Sequence, residues 1–354
     1  MPSAFPLPPS DLRIDHQLPS GNILFLQNPN PTFSWALRHG RRGAVQSAYR
    51  LTLSQVGAQI WDSGEVESNR SVGVRFATSP PLASDADYTW TVTWRDEQNK
   101  WSPPAPPSPF STALLASANA DWSGTAWVGG LAGDDQRNQF RCSFRLPPFL
   151  ANVARARCYI AAPGYHTTHL NSIPLQRADD ASIGPIVQFD RRVPYDAFDC
   201  TAALRAGGAE NVLATTLGRG WFALADGNGQ TDALGYHTIG ARSLRVLVTA
   251  ELETLNFTAI TAPTNPTTTP ATTRRWRLDG NGWKHAEGPI VFDSLFLGTV
   301  VDGRRETAGW RDAGFDDAGW DDALVLHGPR ASNDASTTTS PLLPLTASAP
   351  ALVL

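Results

Sequence analysis

The residues best suited to chemistry lie in a short glycine-containing run at 217–222, LGRGWF. Glycine on either side of Arg219 lets a ligand or a neighbouring backbone approach closely. A guanidinium beside an aromatic ring holds a planar, oxygen-bearing ligand by hydrogen bonds and stacking. We therefore take Arg219 as a candidate catalytic donor and Trp221 and Phe222 as candidate substrate-binding residues. The alternative role of Trp221 is a structural plug of the fold.

A second candidate group lies in the run at 165–171, YHTTHLN, which is typical of a β-strand. Side chains alternate between the faces of a strand, so His166 shares a face with Leu170 and points inward. An imidazole there titrates near neutral pH and suits acid–base chemistry, or it is a hydrogen-bonded core residue. His166 is the second candidate catalytic residue. Tyr165 is a candidate substrate-binding residue, and His169 is expected at the surface.

Metal and thiol chemistry have weaker signals. Asp179, Asp180 and Asp190 place hard oxygen ligands on a loop, but a calcium site needs six or more oxygens and no ligand-loop signature is present. We expect a solvated turn there, with no metal and no cofactor. Three cysteines cannot all be paired and lack metal-ligand spacing, which predicts buried free thiols at Cys142, Cys158 and Cys200.

The elements that must position these groups are short β-strands. Apolar and β-branched runs recur between Gly, Pro, Asn and Asp, and helical periodicity is nearly absent. The run at 87–95 alternates four large apolar side chains, at positions 88, 90, 92 and 94, which predicts a core-facing strand. One short helix is expected at 202–205, capped by Asp199 and ended by Gly207 and Gly208.

Length and composition predict two domains. A chain of 354 residues is too long for one sandwich, and 41% hydrophobic against 18% charged residues is typical of a folded protein. We predict an all-β chain with a fibronectin-type sandwich over 1–115 and a larger jelly-roll-like sandwich over 116–330. A Ser/Thr-rich tail with an apolar end occupies 331–354.

Charge and hydropathy exclude several partners. The formal net charge is only −4 and basic residues do not cluster, so we expect no nucleic-acid partner. No run of 18 apolar residues is present to span a bilayer. The first twenty residues lack a basic segment followed by an apolar one, so we expect a cytoplasmic protein unless a signal peptide has been removed.

A series of short motifs, in one order along the chain, resembles a known family. The first domain carries NPNPTFSW at 28–35, QSAYR at 46–50, IWDSG at 60–64 and YTW at 88–90. The second carries APGY at 162–165, YDAFD at 195–199, GAEN at 208–211, LGRGW at 217–221 and GFDD at 314–317. Together they resemble the fibronectin-type N-terminal domain and the following β-sandwich of the α-L-rhamnosidases.

The sequence departs from that family in ways that bear on function. The family's Gly-Glu-x-Tyr-Asp-Ala-Arg run reads GTVVDGR at 298–304, and its Asn-Gly turn reads Asn171-Ser172. The barrel that supplies the family's acid and base carboxylates has no counterpart in these residues, so we expect no glycoside hydrolysis. The resemblance also places Asp179 and Asp180 in the loop where some members bind calcium and a sugar.

Two functions stay open. The resemblance implies a non-catalytic binding module for L-rhamnose-type sugars. In size and in lacking a barrel, the chain also resembles stand-alone fungal β proteins of secondary metabolism that catalyse a hetero-Diels–Alder step in tropolonic sesquiterpene biosynthesis. Cycloaddition of a tropolone quinone methide with a macrocyclic terpene needs a dry apolar pocket and a donor, without a cofactor.

We rank this pericyclase ahead of the binding module because the chain shows no export signal. Its partners would be apolar and aromatic small molecules. Arg219 and His166 would be its catalytic residues, and the aromatic wall of its pocket would be Tyr165, Trp221, Phe222 and Trp283.

Overall fold

The computed structural model describes residues 5–18, 25–75, 81–115, 121–130, 137–175, 193–223, 242–254, 273–278, 282–295, 297–326 and 345–347. The chain divides into two compact units, Met1–Ser117 and Ala118–Leu354. The described residues are nearly all β, which confirms the predicted fold class. Among them, no helix has the length and apolar character needed to cross a bilayer.

Unit 1 is a two-sheet β-sandwich of short strands. Its described strands are β1 (Pro6–Ile14), β2 (Phe25–Leu26), β3 (Thr32–His39), β4 (Gln46–Gln55), β5 (Ala58–Asp62), β6 (Val66–Glu67), β7 (Val74–Arg75), β8 (Asp87–Asp96) and β9 (Ser108–Thr112). One sheet has the order β1-β3-β7, and the other has the order β2-β9-β8-β4-β5 with β6 also paired to β4.

The core of unit 1 lies between these sheets. Burial alternates residue by residue along β8, with Tyr88, Trp90 and Val92 facing the core, so the predicted core-facing strand is confirmed. From the facing sheet, Phe33 packs on Trp90 with a ring separation of 4.6 Å. Alternating large apolar side chains on a strand thus form one wall of the sandwich.

Unit 2 is a larger sandwich. Its described strands are β10 (Trp127–Gly129), β11 (Arg137–Arg145), β12 (Leu150–Ala161), β13 (Tyr165–Leu170), β14 (Ile173–Leu175), β15 (Val193–Asp199), β16 (Glu210–Gly218), β17 (Ser243–Thr254), β18 (Thr273–Arg277), β19 (Trp283–Glu287), β20 (Ile290–Ser294), β21 (Gly298–Val301), β22 (Asp321–Asp322), β23 (Leu324–Leu326) and β24 (Leu345–Ala347). A 3-10 turn spans Gly303–Arg305.

A seven-stranded sheet and a six-stranded sheet enclose the core of unit 2. The first sheet has the order β23-β10-β17-β12-β15-β24, with β18 also paired to β17, and the second has the order β14-β13-β16-β11-β19-β22. Strands β20 and β21 form a separate hairpin. The three cysteines are free and buried, as predicted. Burial, and then the neighbouring Cys200, raise the pKa of Cys158 well above its ordinary value.

The helix predicted at 202–205 is wrong. The chain there makes one hydrogen-bonded turn, in which the backbone N–H groups of Ala203 and Leu204 donate to the Cys200 carbonyl at 3.1 and 3.0 Å. Gly207 and Gly208 follow with φ of +68° and +77°. These left-handed residues end the turn before a second helical hydrogen bond is added.

Candidate functional site

His166 and Asp196 join the two sheets of unit 2. His166 lies on β13 and is 8% exposed, whereas Asp196 lies on β15 in the facing sheet. His166 Nε2 is 3.1 Å from Asp196 Oδ2, and His166 Nδ1 is 3.1 Å from Thr168 Oγ1. Thr168 Oγ1 lies 3.0 Å from Thr215 Oγ1 on β16. The side chain of His166 therefore points inward, as strand alternation predicts.

These contacts hold the imidazole at both nitrogens. An ionised carboxylate only accepts hydrogen bonds, so Nε2–H donates to Asp196, and Nδ1 is paired with the Thr168 hydroxyl. Phe198 lies edge-on to the ring with a centroid separation of 6.5 Å. Proton transfer from His166 to a ligand requires the ligand to replace one of these partners. The arrangement is suited to linking polar groups across a core.

A second polar cluster lies where β16 ends. The Arg219 backbone N–H donates to Asp293 Oδ2 at 2.6 Å, and Thr299 Oγ1 donates to Asp293 Oδ1 at 3.4 Å. Burial, and then the negative charge of Asp293, raise the pKa of Tyr165. Two of the predicted site residues, Tyr165 and Arg219, are thus brought together around one carboxylate of the β20–β21 hairpin.

The glycines around Arg219 serve a close backbone crossing. A Cβ atom on Gly164 would lie 2.3 Å from the Gly218 carbonyl oxygen and 2.7 Å from the Arg219 carbonyl oxygen. A Cβ atom on Gly220, which has a φ of +53°, would lie 3.1 Å from Gly164 Cα. The sequence left open whether these glycines admit a ligand or a neighbouring backbone, and the structure shows the close approach of a neighbouring backbone.

The predicted aromatic residues do not share one location. Phe222 is fully buried and Trp221 is half-buried just after β16. Trp283 is 5% exposed in the core. In the strand register, Trp283 pairs with Cys142, Cys142 pairs with Leu213, and Leu213 pairs with Leu170. Leu170 is five residues from Tyr165 along β13, or about 17 Å at the usual rise of a strand. The structure therefore places Trp283 well away from Tyr165 and Arg219.

Sequence reasoning missed a buried arginine on β11. Arg141 is 1% exposed, and its Nε donates to Asp317 Oδ2 at 2.9 Å. Its Nη1 donates to the carbonyl oxygens of Trp310 at 2.8 Å and Asp312 at 3.0 Å. The guanidinium lies 5.3 Å from the ring centroid of Phe315. Arg141 therefore holds the motif-rich segment 310–317 against the outer face of the six-stranded sheet that contains β11.

Two motif asparagines are also structural. Asn171 Nδ2 donates to Asn211 Oδ1 at 2.8 Å and to the Ala203 carbonyl at 2.7 Å. Asn171 Oδ1 accepts from the Val212 backbone N–H at 2.9 Å, and Asn211 Oδ1 accepts from the Arg205 backbone N–H at 2.8 Å. These two asparagines therefore join the end of β13 to the turn after β15, and their contacts need no ligand.

The acidic loop considered for calcium lies outside the described residues, since Asp179, Asp180 and Asp190 fall between β14 and β15. Within the described part of the chain, no group of three or more His, Cys, Asp or Glu side chains is placed to hold a metal ion. His169, expected at the surface, is half-buried on β13. Burial, and then the positive charge of Arg311, lower its pKa.

Two family models match the chain in succession. Residues 9–116 match the Rha78A-like, N-terminal immunoglobulin domain, and residues 151–341 match the alpha-L-rhamnosidase N-terminal domain. The second match alone covers more than half of the 354 residues. The order of the two matches follows the two compact units of the fold.

Two relatives carry the name alpha-L-rhamnosidase. The protein from Formosa agariphila is 25% identical over 323 residues, which are 82% of this chain and 31% of the relative. The protein from Streptomyces avermitilis is 31% identical over 226 residues, which are 64% of this chain and 19% of the relative. This chain thus spans less than a third of the length of either relative.

Solved structures of alpha-L-rhamnosidases share the fold. The enzyme from Dictyoglumus thermophilum has a TM-score of 0.69 at 24% identity, over 96% of this chain and 35% of its own. The enzyme from Streptomyces avermitilis, complexed with L-rhamnose, has a TM-score of 0.70 at 20% identity, over 96% of this chain and 46% of its own. The enzyme from Aspergillus terreus has a TM-score of 0.69 at 21% identity, over 90% and 34%. The chain therefore belongs to the alpha-L-rhamnosidase N-terminal domain family, with an immunoglobulin-like domain before the family's β-sandwich.

Proposed function

We propose that this chain is a non-catalytic carbohydrate-binding module for sugars of the L-rhamnose type. The observation that carries the proposal is the match to both N-terminal rhamnosidase domains, in order, along the chain. It is supported by the shared fold of the Streptomyces avermitilis enzyme, whose structure contains L-rhamnose. A module of this kind needs preorganised polar and aromatic groups but no reacting group.

The described geometry suits binding better than catalysis. Both Asp293 oxygens already accept hydrogen bonds within the fold, and His166 is held between Asp196 and Thr168. Proton transfer through His166 would break one of its two contacts, whereas the Asp293 oxygens keep lone pairs that can accept hydrogen bonds from a ligand. Groups held in this way are well suited to keeping a binding surface rigid, which lowers the entropic cost of binding a ligand.

The binding surface that we propose lies at the Tyr165 end of β13. Tyr165 and Trp221 are both partly exposed there, and Asp293 supplies a carboxylate beside Tyr165. Aromatic rings pack against the apolar C–H groups of a pyranose, and a carboxylate accepts hydrogen bonds from its hydroxyl groups. Arg219 contributes through its backbone, which fixes the position of that carboxylate.

The cycloaddition expected from the sequence is the competing proposal. The relatives that match this chain are named as alpha-L-rhamnosidases, so they lend no support to a role in terpenoid biosynthesis. Strand order and register also separate Trp283, one predicted wall residue, from Tyr165. The cycloaddition stays a prediction, and the test of the binding module addresses it directly.

The test is a calorimetric titration with L-rhamnose, paired with an assay for release of an aryl alcohol from an aryl α-L-rhamnoside. We expect saturable binding and no release above a heat-killed control. Tyr165→Ala should weaken binding about tenfold through loss of one aromatic contact. Trp101→Ala, which alters an exposed tryptophan of unit 1, is the matched control and should leave binding unchanged.

Three results would count against the module. Release of the aryl alcohol would show hydrolysis, and an absence of sugar binding would remove the proposed ligand. Acceleration of the tropolone quinone methide cycloaddition, with an altered isomer ratio, would favour the enzyme. In that case Arg219→Gln with an unchanged melting curve should lower the rate about a hundredfold if its side chain is the donor.

A further inference from the structure

Asp293 carries the one charge of the β20–β21 hairpin, since the sequence at 290–301 contains no other charged residue. Its carboxylate accepts hydrogen bonds from the Arg219 backbone N–H at 2.6 Å and from Thr299 Oγ1 at 3.4 Å. It makes no ion pair with the described part of the chain. A backbone amide and a hydroxyl hold the carboxylate in place without neutralising it.

This carboxylate lies beside the side chain of Tyr165. A Cβ atom on Gly218 would lie 3.2 Å from Asp293 Oδ2, 3.1 Å from Tyr165 Cβ and 3.6 Å from Tyr165 Cδ2, so glycine at the end of β16 leaves room for both side chains. The charge of Asp293 reaches the phenol, because it contributes, after burial, to the raised pKa of Tyr165. A ligand that packs on this ring therefore lies within the field of the carboxylate.

The surroundings of Asp293 supply no cation to offset that field. Apolar side chains make up part of the exposed surface of the hairpin, namely Phe292, Val300 and Val301. The nearest charged residues along the chain, Glu287 and Asp302, are also acidic, and each pairs with an arginine at the surface. Apolar neighbours displace water and so weaken the screening of a nearby charge.

We propose that Asp293 is a specificity-determining residue of the Tyr165 surface and restricts it to uncharged sugars. The hydroxyl groups of a neutral pyranose donate to the lone pairs that Asp293 retains, whereas the carboxylate of a uronic acid is repelled. Two like charges a few ångströms apart near a protein surface weaken binding about tenfold or more. This inference rests on the proposed sugar-binding function and adds the charge class of the ligand.

The test compares two ligands that differ in charge on the same ring. L-Mannuronate has the ring configuration of L-rhamnose with a carboxylate at C6, and its methyl ester is the neutral counterpart. Calorimetric titration of the wild type should show saturable binding of L-rhamnose and of the ester, and binding of the free acid about tenfold weaker than that of the ester. At 1 M salt, where the Debye length is about 3 Å, this difference should shrink, because screening weakens a charge effect and leaves a steric effect unchanged.

Asp293→Asn removes the charge and keeps an oxygen that accepts from the Arg219 N–H. It should bring the affinities for acid and ester within about threefold of each other, with a nearly unchanged melting temperature. The matched control is Asp316→Asn, because the Asp316 carboxylate is exposed and also accepts from a backbone N–H, that of Ala318 at 3.0 Å, but lies outside the hairpin. The control should keep the wild-type difference between acid and ester.

Several outcomes would overturn the charge restriction and leave the sugar-binding module standing. They are equal affinity of the wild type for acid and ester, binding of neither when L-rhamnose binds, and a difference that persists in Asp293→Asn. If that variant melts early, the wild type alone decides the matter, since a difference that is unchanged at 1 M salt would also overturn the restriction. A wild type that binds no L-rhamnose would overturn both proposals.

Discussion

At the scale of single residues, buried polar side chains in unit 2 are used to attach segments to the sandwich. Arg141 binds the 310–317 segment with four described acceptors, including three backbone carbonyls. Asn171 and Asn211 join the end of β13 to the turn after β15. Polar groups of this kind are costly to bury, and their hydrogen bonds offset that cost.

We predict that Arg141→Met destabilises unit 2 by about 3 kcal/mol, because it removes the charge that pairs with Asp317 and leaves backbone acceptors without a donor. Urea unfolding monitored by tryptophan fluorescence measures the change. Arg304→Met is the control, since its pair with Asp302 is at the surface and its loss should leave the free energy of unfolding nearly unchanged. Equal effects of the two substitutions would contradict the structural role of Arg141.

At the scale of elements, the close crossing of segments 163–165 and 218–220 fixes the positions of residues at the proposed binding surface. Glycine at 164 lets the chain leave β12 for the facing sheet while touching the end of β16. The same contact sets the positions of Tyr165 and of the Arg219 N–H that binds Asp293. The short loops that carry a site thus depend on strand packing directly beneath them.

Gly164→Ala should lower the free energy of unfolding by about 1–3 kcal/mol, because its Cβ would overlap the Gly218 carbonyl oxygen and the backbone must separate. Thermal and urea unfolding of the variant measure this loss. Gly303→Ala is the matched control, since its Cβ would meet nothing within 4 Å. A Gly164→Ala variant as stable as the control would mean that the crossing is looser than described.

At the scale of the molecule, each unit has its own hydrophobic core between two sheets. The core of unit 2 is closed by apolar side chains from both sheets, with Cys158, Leu213 and Val248 among those that are fully buried. The described residues thus form a packed core from protein groups, which is the main source of stability for a domain of this size.

We therefore predict that unit 2 folds without calcium. Melting curves recorded with millimolar calcium and with a chelator should coincide within error. A ligand that binds only the folded state raises the melting temperature increasingly as its concentration exceeds its Kd, so a large calcium-dependent rise would be the contrary result. It would direct attention to the carboxylates of Asp179, Asp180 and Asp190, which the sequence places on one loop.

The sequence by itself determined the all-β class, the inward side of β13 and the core-facing side of β8, because alternation along a strand is a local property of the backbone. It also determined the family, since the motif runs are read in order. The helix predicted at 202–205 failed because a capping residue followed by two glycines is equally compatible with a single turn.

Only the tertiary structure decided which residues meet. Arg141 and Asp317 are 176 positions apart, and Ser172 and Asp312 are 140 apart, so no local pattern pairs them. Strand order places Trp283 far from Tyr165 although both are aromatic residues of one sheet. Trp310 of a late segment packs on Val212 and Ala214 of β16, and long-range packing of that kind is not encoded in the spacing of nearby residues.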